Sequence, residues 1–273
     1  MRQLIQHLGS GRTELIEVPA PGPRRGRLLV RAQRSLVSLG TERMLVEFGR
    51  AGWLSKARQQ PEKFRAVLAK VRSEGLLPTL AAVRGKLAQP IPLGYCHVGE
   101  VLAAGDVPGF AVGDLVVSNA PHAEVVSADP AFAARVPAGV STDHAAFAPL
   151  AAVALQGLRL VAARPGETVV VMGLGLIGQL AVRLLRARGV QVVGVDPEAA
   201  KLADAKLAGA LVPSPGVSVA SLAPGGAAGV LITASTSSDE PVNQAARLCR
   251  RRGRVVLVGV TGLTLNRADF YAN

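Results

Sequence analysis

The sequence predicts an α/β fold in two parts, a mainly β first half followed by a doubly wound parallel sheet. Three observations carry this expectation. Short β-like runs separated by Pro and Gly turns fill residues 1–145, and from 146 apolar runs alternate with helical stretches. A glycine-rich turn, Gly173-Leu-Gly175-Leu-Ile-Gly178, stands where one such apolar run gives way to a helix.

The bulk properties set the outer limits. The chain has 273 residues, 49% hydrophobic and 18% charged, which suits one large domain or two modest ones and excludes a disordered tail. No apolar run reaches the roughly 20 residues that span a bilayer, so no membrane partner is expected. The N-terminal MRQLIQHLGSGRTELIEV lacks an apolar export segment, and a cytoplasmic location follows as the expectation. Cys96 and Cys249 are too few for a disulfide framework, and neither has the spacing of a structural zinc site.

The division is expected at 145/146, with a basic helical insertion at about 43–88 inside the first domain. Lys and Arg total 31 against 19 Asp and Glu, a net charge of +12. Between Arg43 and Lys86 ten basic and three acidic residues supply +7 of this excess. Within it Phe64, Val67, Leu68 and Val71 recur at helical spacing, an amphipathic helix broken near Gly75 and Pro78. Two readings stand: a solvated helix face, or a collar that attracts an anionic ligand. Nucleic acid is disfavoured, because only Phe48, Trp53 and Phe64 are aromatic there and no stacking or groove-reading motif accompanies them.

In the first half, Arg27–Arg31 and Asp114–Val117 read as strands. In the second, Glu167–Met172 is a strand, Leu176–Arg188 a helix, Val190–Val195 a strand and Glu198–Ala208 a helix. A weak strand around Leu211 follows, then a strand over Gly229–Ala234, a helix over Pro241–Arg250 and a strand over Arg254–Val260. Five strands are expected in this sheet.

The glycine turn gives the second half its chemistry. Gly173 permits the tight strand-to-helix turn, Gly175 removes the Cβ that would block a pyrophosphate, and Gly178 lets helix and strand pack closely. Leu176 and Ile177 open the helix, whose free N–H groups and positive dipole end favour phosphate. Asp196 stands 18 residues after Gly178 at the end of the second strand, where a carboxylate can accept the ribose hydroxyls. Strand, glycines, helix, strand and acid in register predict a Rossmann unit that binds NAD. A 2′-phosphate would meet the Asp196 charge, so NADP requires compensation, for which Lys201 is the candidate.

The whole chain resembles the medium-chain dehydrogenase/reductase superfamily, in which a GroES-like β domain precedes a Rossmann domain. It is most similar to the dehydrogenase half of bacterial bi-domain oxidoreductases. The residues carrying the resemblance are Ser38-Leu-Gly-Thr-Glu-Arg-Met44, Val46-Glu-Phe-Gly49, Gln89-Pro-Ile-Pro-Leu-Gly-Tyr95, Pro121-His-Ala-Glu124 and Ala154-Leu-Gln-Gly-Leu-Arg159. Gly173 to Gln179, Ile232-Thr-Ala-Ser-Thr236 and Glu240-Pro-Val242 continue it. The resemblance implies a GroES-like domain followed by a Rossmann sheet lacking its last strand, with substrate bound in a cleft between them. It also implies that Leu174, Thr233, Ala234, Ser235 and Gly259 line the cofactor.

Departures from the family pattern are as informative. Zinc-dependent members hold the metal with a Cys before G-[ST]-D, the His of G-H-E and a third Cys or Asp. The matching positions here read Leu39 before Gly40-Thr41-Glu42, Tyr95 and Cys96 after Gly94, and Ala148 or a neighbour. A hydrocarbon, a phenol and a methyl do not replace three N, S or carboxylate donors, so no zinc is expected. Carbonyl polarisation then falls to hydrogen-bond donors or a proton relay. Tyr95 occupies the place of the ligating His and is a candidate donor, its alternative being a rim or core tyrosine. His122 is a candidate proton shuttle, its alternative being structural. Thr41 and Glu42 occupy the place of the pair that orients the cleft.

The expectation is therefore a zinc-independent NAD(P)-dependent oxidoreductase that moves a hydride between nicotinamide and a carbonyl or alcohol. Its small-molecule substrate is expected to be a sugar or sugar nucleotide, with the basic segment suited to an anionic one. The alternative is a non-catalytic dinucleotide-binding subunit working with a partner enzyme. The chain stops at Asn273, before the family's sixth Rossmann strand, which leads to an expected exposed sheet edge and association as a homo-oligomer or with a partner protein.

Overall fold

A computed structural model describes residues 1–50, 85 and 88–271. Most of the insertion expected at about 43–88 lies outside the described residues, including its amphipathic helix around Phe64–Val71. The chain divides into two compact units, Met1–Pro149 and Leu150–Asn273, four residues beyond the expected 145/146 boundary.

The first unit holds two antiparallel sheets. Strands β1 (Arg2–Gln6), β2 (Thr13–Glu17) and β4 (Ile91–Pro92) form one, in the order β2-β1-β4. Strands β3 (Leu28–Ser35), β5 (His97–Ala103), β6 (Leu115–Ser118), β7 (Val125–Ala128) and β8 (Ala133–Arg135) form the other, in the order β7-β3-β5-β6-β8. Alternation sets the core: Leu28 and Val30 on β3 pack with Val101, Val116, Val126 and Ala128. Helix α1 (Thr41–Arg50) and the short α2 (Thr142–Ala145) complete the unit.

The second unit is a four-stranded parallel sheet. Strands β9 (Thr168–Met172), β10 (Gln191–Val195), β11 (Ala227–Ile232) and β12 (Cys249–Leu257) take the order β10-β9-β11-β12. Val169 and Val171 of β9 face one core, with Leu158, Val182, Leu185 and Leu231. Val170 and Met172 face the other, with Val230, Ile232, Val242 and Ala245. Helices thus cover both faces, which is why Val169-Val-Val-Met172 is apolar without alternation. Helix α3 (Ala148–Val161), which starts at the unit boundary, α4 (Leu176–Ala187) and α5 (Ala199–Leu207) supply the first core. Helix α6 (Glu240–Leu248) supplies the second, and α7 (Arg267–Tyr271) follows β12.

Two expectations in this sheet are corrected. The weak strand at Leu211 is a single parallel bridge to Val193, held by Leu211 N–H to Val192 O and Gly194 N–H to Leu211 O, both 2.8 Å. Pro213, two residues on, has no N–H with which to extend that ladder. Cys249, read as a helix residue, is the first residue of β12, because the apolar stripe of α6 ends at Leu248 and the chain turns extended there. A register shift between Ala227 and Gly229, with Arg252 at φ +62, absorbs the offset before β12 pairs regularly from Arg254. Among the described residues β12 pairs with β11 alone.

Candidate cofactor and catalytic sites

In the second unit the glycine turn does what its spacing requires. Gly173 sits at φ +90, left-handed backbone in which an added Cβ would lie 2.5 Å from the Ala234 nitrogen. Gly178 passes so close to the turn that a Cβ would lie 2.0 Å from Gly173 O and 2.9 Å from Thr233 Oγ1. The Thr233 hydroxyl donates to Gly173 O at 2.5 Å, joining the end of β11 to the turn. Gly259, after β12, meets the same strand end, where a Cβ would lie 1.9 Å from Ala234 O.

Gly175 differs from these three. It is the N-cap of α4, offers no side-chain cap, and a Cβ there would meet nothing within 4 Å. Open space therefore lies against the positive end of α4, the end of a helix that favours anions, and a side chain at this position would enter it. Leu176 and Ile177 start this helix as expected.

Asp196 follows β10, and only 6% of its side chain is exposed. Its Oδ2 accepts the N–H of Leu174 at 2.7 Å and its Oδ1 the N–H of Glu198 at 2.9 Å. The N–H of Leu174, a residue that the resemblance implies lines the cofactor, is thus engaged by the protein itself. Lys201 is drawn to Glu198, Nζ to Oε1 at 2.6 Å, and lies 4.0 Å from Asp196 Oδ1. Its ammonium is favoured first by the Glu198 hydrogen bond; burial works against this, and attraction to Asp196 and Glu198 adds to it, with a net upward shift. Ala234 and Ser235 follow β11 on the segment that Gly173 approaches.

The first unit gathers all four candidate catalytic residues into one polar cluster. The Tyr95 hydroxyl donates to Ser38 Oγ at 2.8 Å and lies 3.4 Å from Thr41 Oγ1. Buried Glu42, in the first turn of α1, reaches back so that its Oε1 accepts the Ser38 N–H at 2.8 Å. That reach satisfies a backbone donor at the helix entrance and places the carboxylate near the positive end of α1. Glu42 Oε2 meets His122 Nε2 at 3.0 Å, with 6% and 9% of the two side chains exposed.

His122 is fixed from three sides. Its N–H donates to Leu93 O at 2.8 Å, its carbonyl accepts Leu4 N–H at 3.0 Å, and its ring lies against Gly94. Gly94 has φ +95, and a Cβ there would stand 2.6 Å from the imidazole. His122 Nδ1 is buried and has no hydrogen-bond partner among the described residues.

Two further residues belong to this region: Ser38, to which the sequence assigns no role of its own, and His97, which with Cys96 is at most a weak metal-ligand candidate in the sequence. Ser38 was quoted only as part of a motif, yet it receives Tyr95 and donates to Glu42. His97, on β5, is fully buried with Nδ1 3.5 Å from Ser118 Oγ and Nε2 unpartnered among the described residues. Burial, and secondarily the neighbouring His122, pushes its pKa down to about 4. The signal that could have found it is a histidine in an otherwise apolar strand, His97-Val-Gly-Glu-Val-Leu-Ala103.

The residues at the metal-ligand positions do not fit zinc. Leu39 is a hydrocarbon with 75% exposure, and Tyr95 spends its proton on Ser38. Among the described residues no group of three His, Cys, Asp or Glu side chains converges as a metal shell would need.

Comparison with known proteins shows what the chain is similar to. The family model for zinc-binding dehydrogenases matches residues 177–272. D-guloside 3-dehydrogenase of Escherichia coli strain K12 is 39% identical over 121 residues, 42% of this chain and 35% of that protein. The chain thus matches about a third of that relative's length. The fold of 2R,3R-butanediol dehydrogenase from Bacillus subtilis covers 98% of this chain and 80% of that one, with TM-score 0.75 and 18% identity. A zinc-binding-dehydrogenase-type structure from Sinorhizobium meliloti 1021, bound to NADP, covers 100% of this chain and 82% of that one, with TM-score 0.74 and 22% identity. With a β unit followed by a Rossmann unit, this chain is similar to zinc-type medium-chain dehydrogenases/reductases, in fold over nearly its whole length and in sequence over less than half of it.

Proposed function

We propose that the chain is the cofactor-binding and catalytic part of a zinc-independent, nicotinamide-dependent oxidoreductase acting on a secondary alcohol or ketone of a sugar or sugar derivative. The observation that carries this reading is the open cradle at Gly175, at the uncapped N-terminus of α4, with Asp196 beside it. The relatives support the class, the E. coli protein being named for a guloside substrate.

The nicotinamide, when bound, supplies the hydride donor or acceptor. The chain's own residues do the rest. The turn from Gly173 to Gly178 admits the pyrophosphate, and Asp196 keeps lone pairs for the adenosine ribose hydroxyls, since each oxygen has accepted one N–H. The carboxylate disfavours a 2′-phosphate, and Lys201, held by Glu198, offsets it only in part, so NAD is the preferred cofactor.

In the first unit the Ser38 and Thr41 hydroxyls each keep a proton to donate to a substrate oxygen, and Tyr95 can turn its own there only by releasing Ser38 Oγ. Glu42 Oε2 lies 3.0 Å from His122 Nε2, close enough to share a hydrogen bond, and Ser38 joins this pair to Tyr95 by giving its N–H to Glu42 and its Oγ to the phenol. Hydroxyl donors and an imidazole can exchange a proton with an alkoxide at neutral pH without a metal.

The test is turnover of a panel of glycosides and polyols with NAD, before and after exhaustive chelation, in wild type and in Tyr95→Phe. Activity that survives chelation and falls by about a hundredfold or more in Tyr95→Phe supports the reading. Tight NADH binding with no turnover across the panel supports the alternative, a dinucleotide-binding subunit.

A further inference from the structure

Leu174, between the first two glycines of the turn, is held by three different attachments. Its side chain is 1% exposed, in the core with Val171, Val192 and Leu231, and it fills the space beside Gly194 on β10. Its N–H donates to Asp196 Oδ2 at 2.7 Å. Its carbonyl accepts Gln179 Nε2 at 3.3 Å, and the same Nε2 donates to Lys201 O at 2.8 Å. Both polar groups of this residue are thus tied by side chains from β10's end and from α4. Among the described residues, the only other side-chain hydrogen bond to this turn from outside its own loop is that of Thr233 to Gly173.

We infer that Asp196 is a positioning residue that clamps the pyrophosphate turn, a role separate from accepting ribose hydroxyls, and that Gln179 is its counterpart on the carbonyl side. This rests on the dinucleotide reading above. An N–H held by a carboxylate at 2.7 Å in a site only 6% exposed is a charge-assisted bond in low dielectric, the strong kind. With the peptide of Leu174 fixed, the following peptide is turned toward the start of α4 before any ligand arrives. The ordering is then complete in the free protein, and binding does not have to supply it.

The clamp has a consequence for specificity. Replacing Asp196 to admit a 2′-phosphate would remove the repulsion and the clamp together. Asp196→Ala should therefore lose NADH without gaining NADPH in proportion, and cofactor preference in this chain should not switch at that residue alone.

Two readouts test it. In the ligand-free protein, amide exchange at Leu174 should be slow in wild type and faster by about tenfold or more in Asp196→Ala, while Val169–Val171 of β9 stay protected as the control for folding. Asp196→Asn, which keeps one acceptor oxygen, should be intermediate. For binding, the probes are NADH and its 2′,3′-dideoxyadenosine analogue. A clamp predicts that Asp196→Ala weakens both by a similar factor, because the loss does not pass through the ribose hydroxyls. A loss confined to NADH, with unchanged exchange at Leu174, overturns the clamp. Wild type that binds neither dinucleotide overturns the functional reading instead, and the exchange at Leu174 still decides the clamp.

Discussion

Glu42 and His122, 80 residues apart in the sequence, meet at 3.0 Å with both side chains almost wholly buried, and the second oxygen of Glu42 is committed to the backbone of Ser38. The pair is therefore part of the β unit's interior as well as a candidate proton-holding group. Its two roles separate under mutation. Removing one partner of a buried pair leaves the other uncompensated, so His122→Ala should destabilise the chain by about 3–5 kcal/mol. Adding Glu42→Gln to that variant should recover part of the loss, because an amide is cheaper to bury unpaired than a carboxylate. Urea unfolding of the two single variants and the double variant measures this. Equal loss in His122→Ala and in the double variant would show that Glu42 is not stranded.

Acid should weaken the first unit through His97. The folded pKa of about 4 lies below the ordinary 6.5, so between these values the unfolded chain binds a proton that the folded chain refuses. The contribution is complete above about pH 6.5 and is lost as pH falls through 4, amounting to about 2 kcal/mol by pH 5. His97→Gln should flatten the fall in melting temperature between pH 7 and pH 5, whatever it does to stability at pH 7. A parallel fall in wild type and variant would remove His97 as the cause.

The glycines of the turn should separate stability from binding. Gly178→Ala drives a methyl against Gly173 O, backbone that cannot retreat without opening the contact between α4 and β9, so it should cost several kcal/mol of stability. Gly175→Ala meets open space and should keep a melting temperature within a few degrees of wild type while weakening NADH. Thermal scans with and without NADH distinguish the two. A Gly175→Ala that binds NADH as wild type does would place the pyrophosphate elsewhere.

Cys249 should be silent to alkylation in the folded chain. Burial raises its thiol to about 11, outweighing a backbone hydrogen bond at Val230 that acts the other way. Cys96 is fully buried as well. Iodoacetamide at pH 7.5 should modify both only as the chain unfolds, and mass spectrometry of the labelled peptides reads this. Labelling of Cys249 ahead of global unfolding would mean that β12 opens by itself.

How much of this was legible depended on range. The Rossmann unit could be read because its signals are local: an unbroken apolar strand, three glycines at fixed spacing, and an acid at the end of the next strand. The fifth strand at Leu211 shrank to one bridge because a proline two residues on outweighed a weak apolar run. In the first unit, β1, β2, β5, β7 and β8 went unassigned, since short antiparallel strands with one wet face carry little pattern. The clustering of Tyr95, Thr41, Glu42 and His122 followed from a resemblance, not from spacing. Ser38 escaped notice because a loop serine carries no signal until its hydroxyl and its N–H are seen to serve two different partners. Asp196 had its residue identity read and half its work missed, because a bond to Leu174 across 22 positions is invisible in a linear motif.

The most direct test of the central claim is a fluorescence titration of the purified chain with NADH and with NADPH, run beside Gly175→Asp. The account predicts saturable NADH binding, tighter than NADPH, that disappears in the variant while its fold is retained. Failure to bind either cofactor, or binding that Gly175→Asp leaves intact, would contradict it.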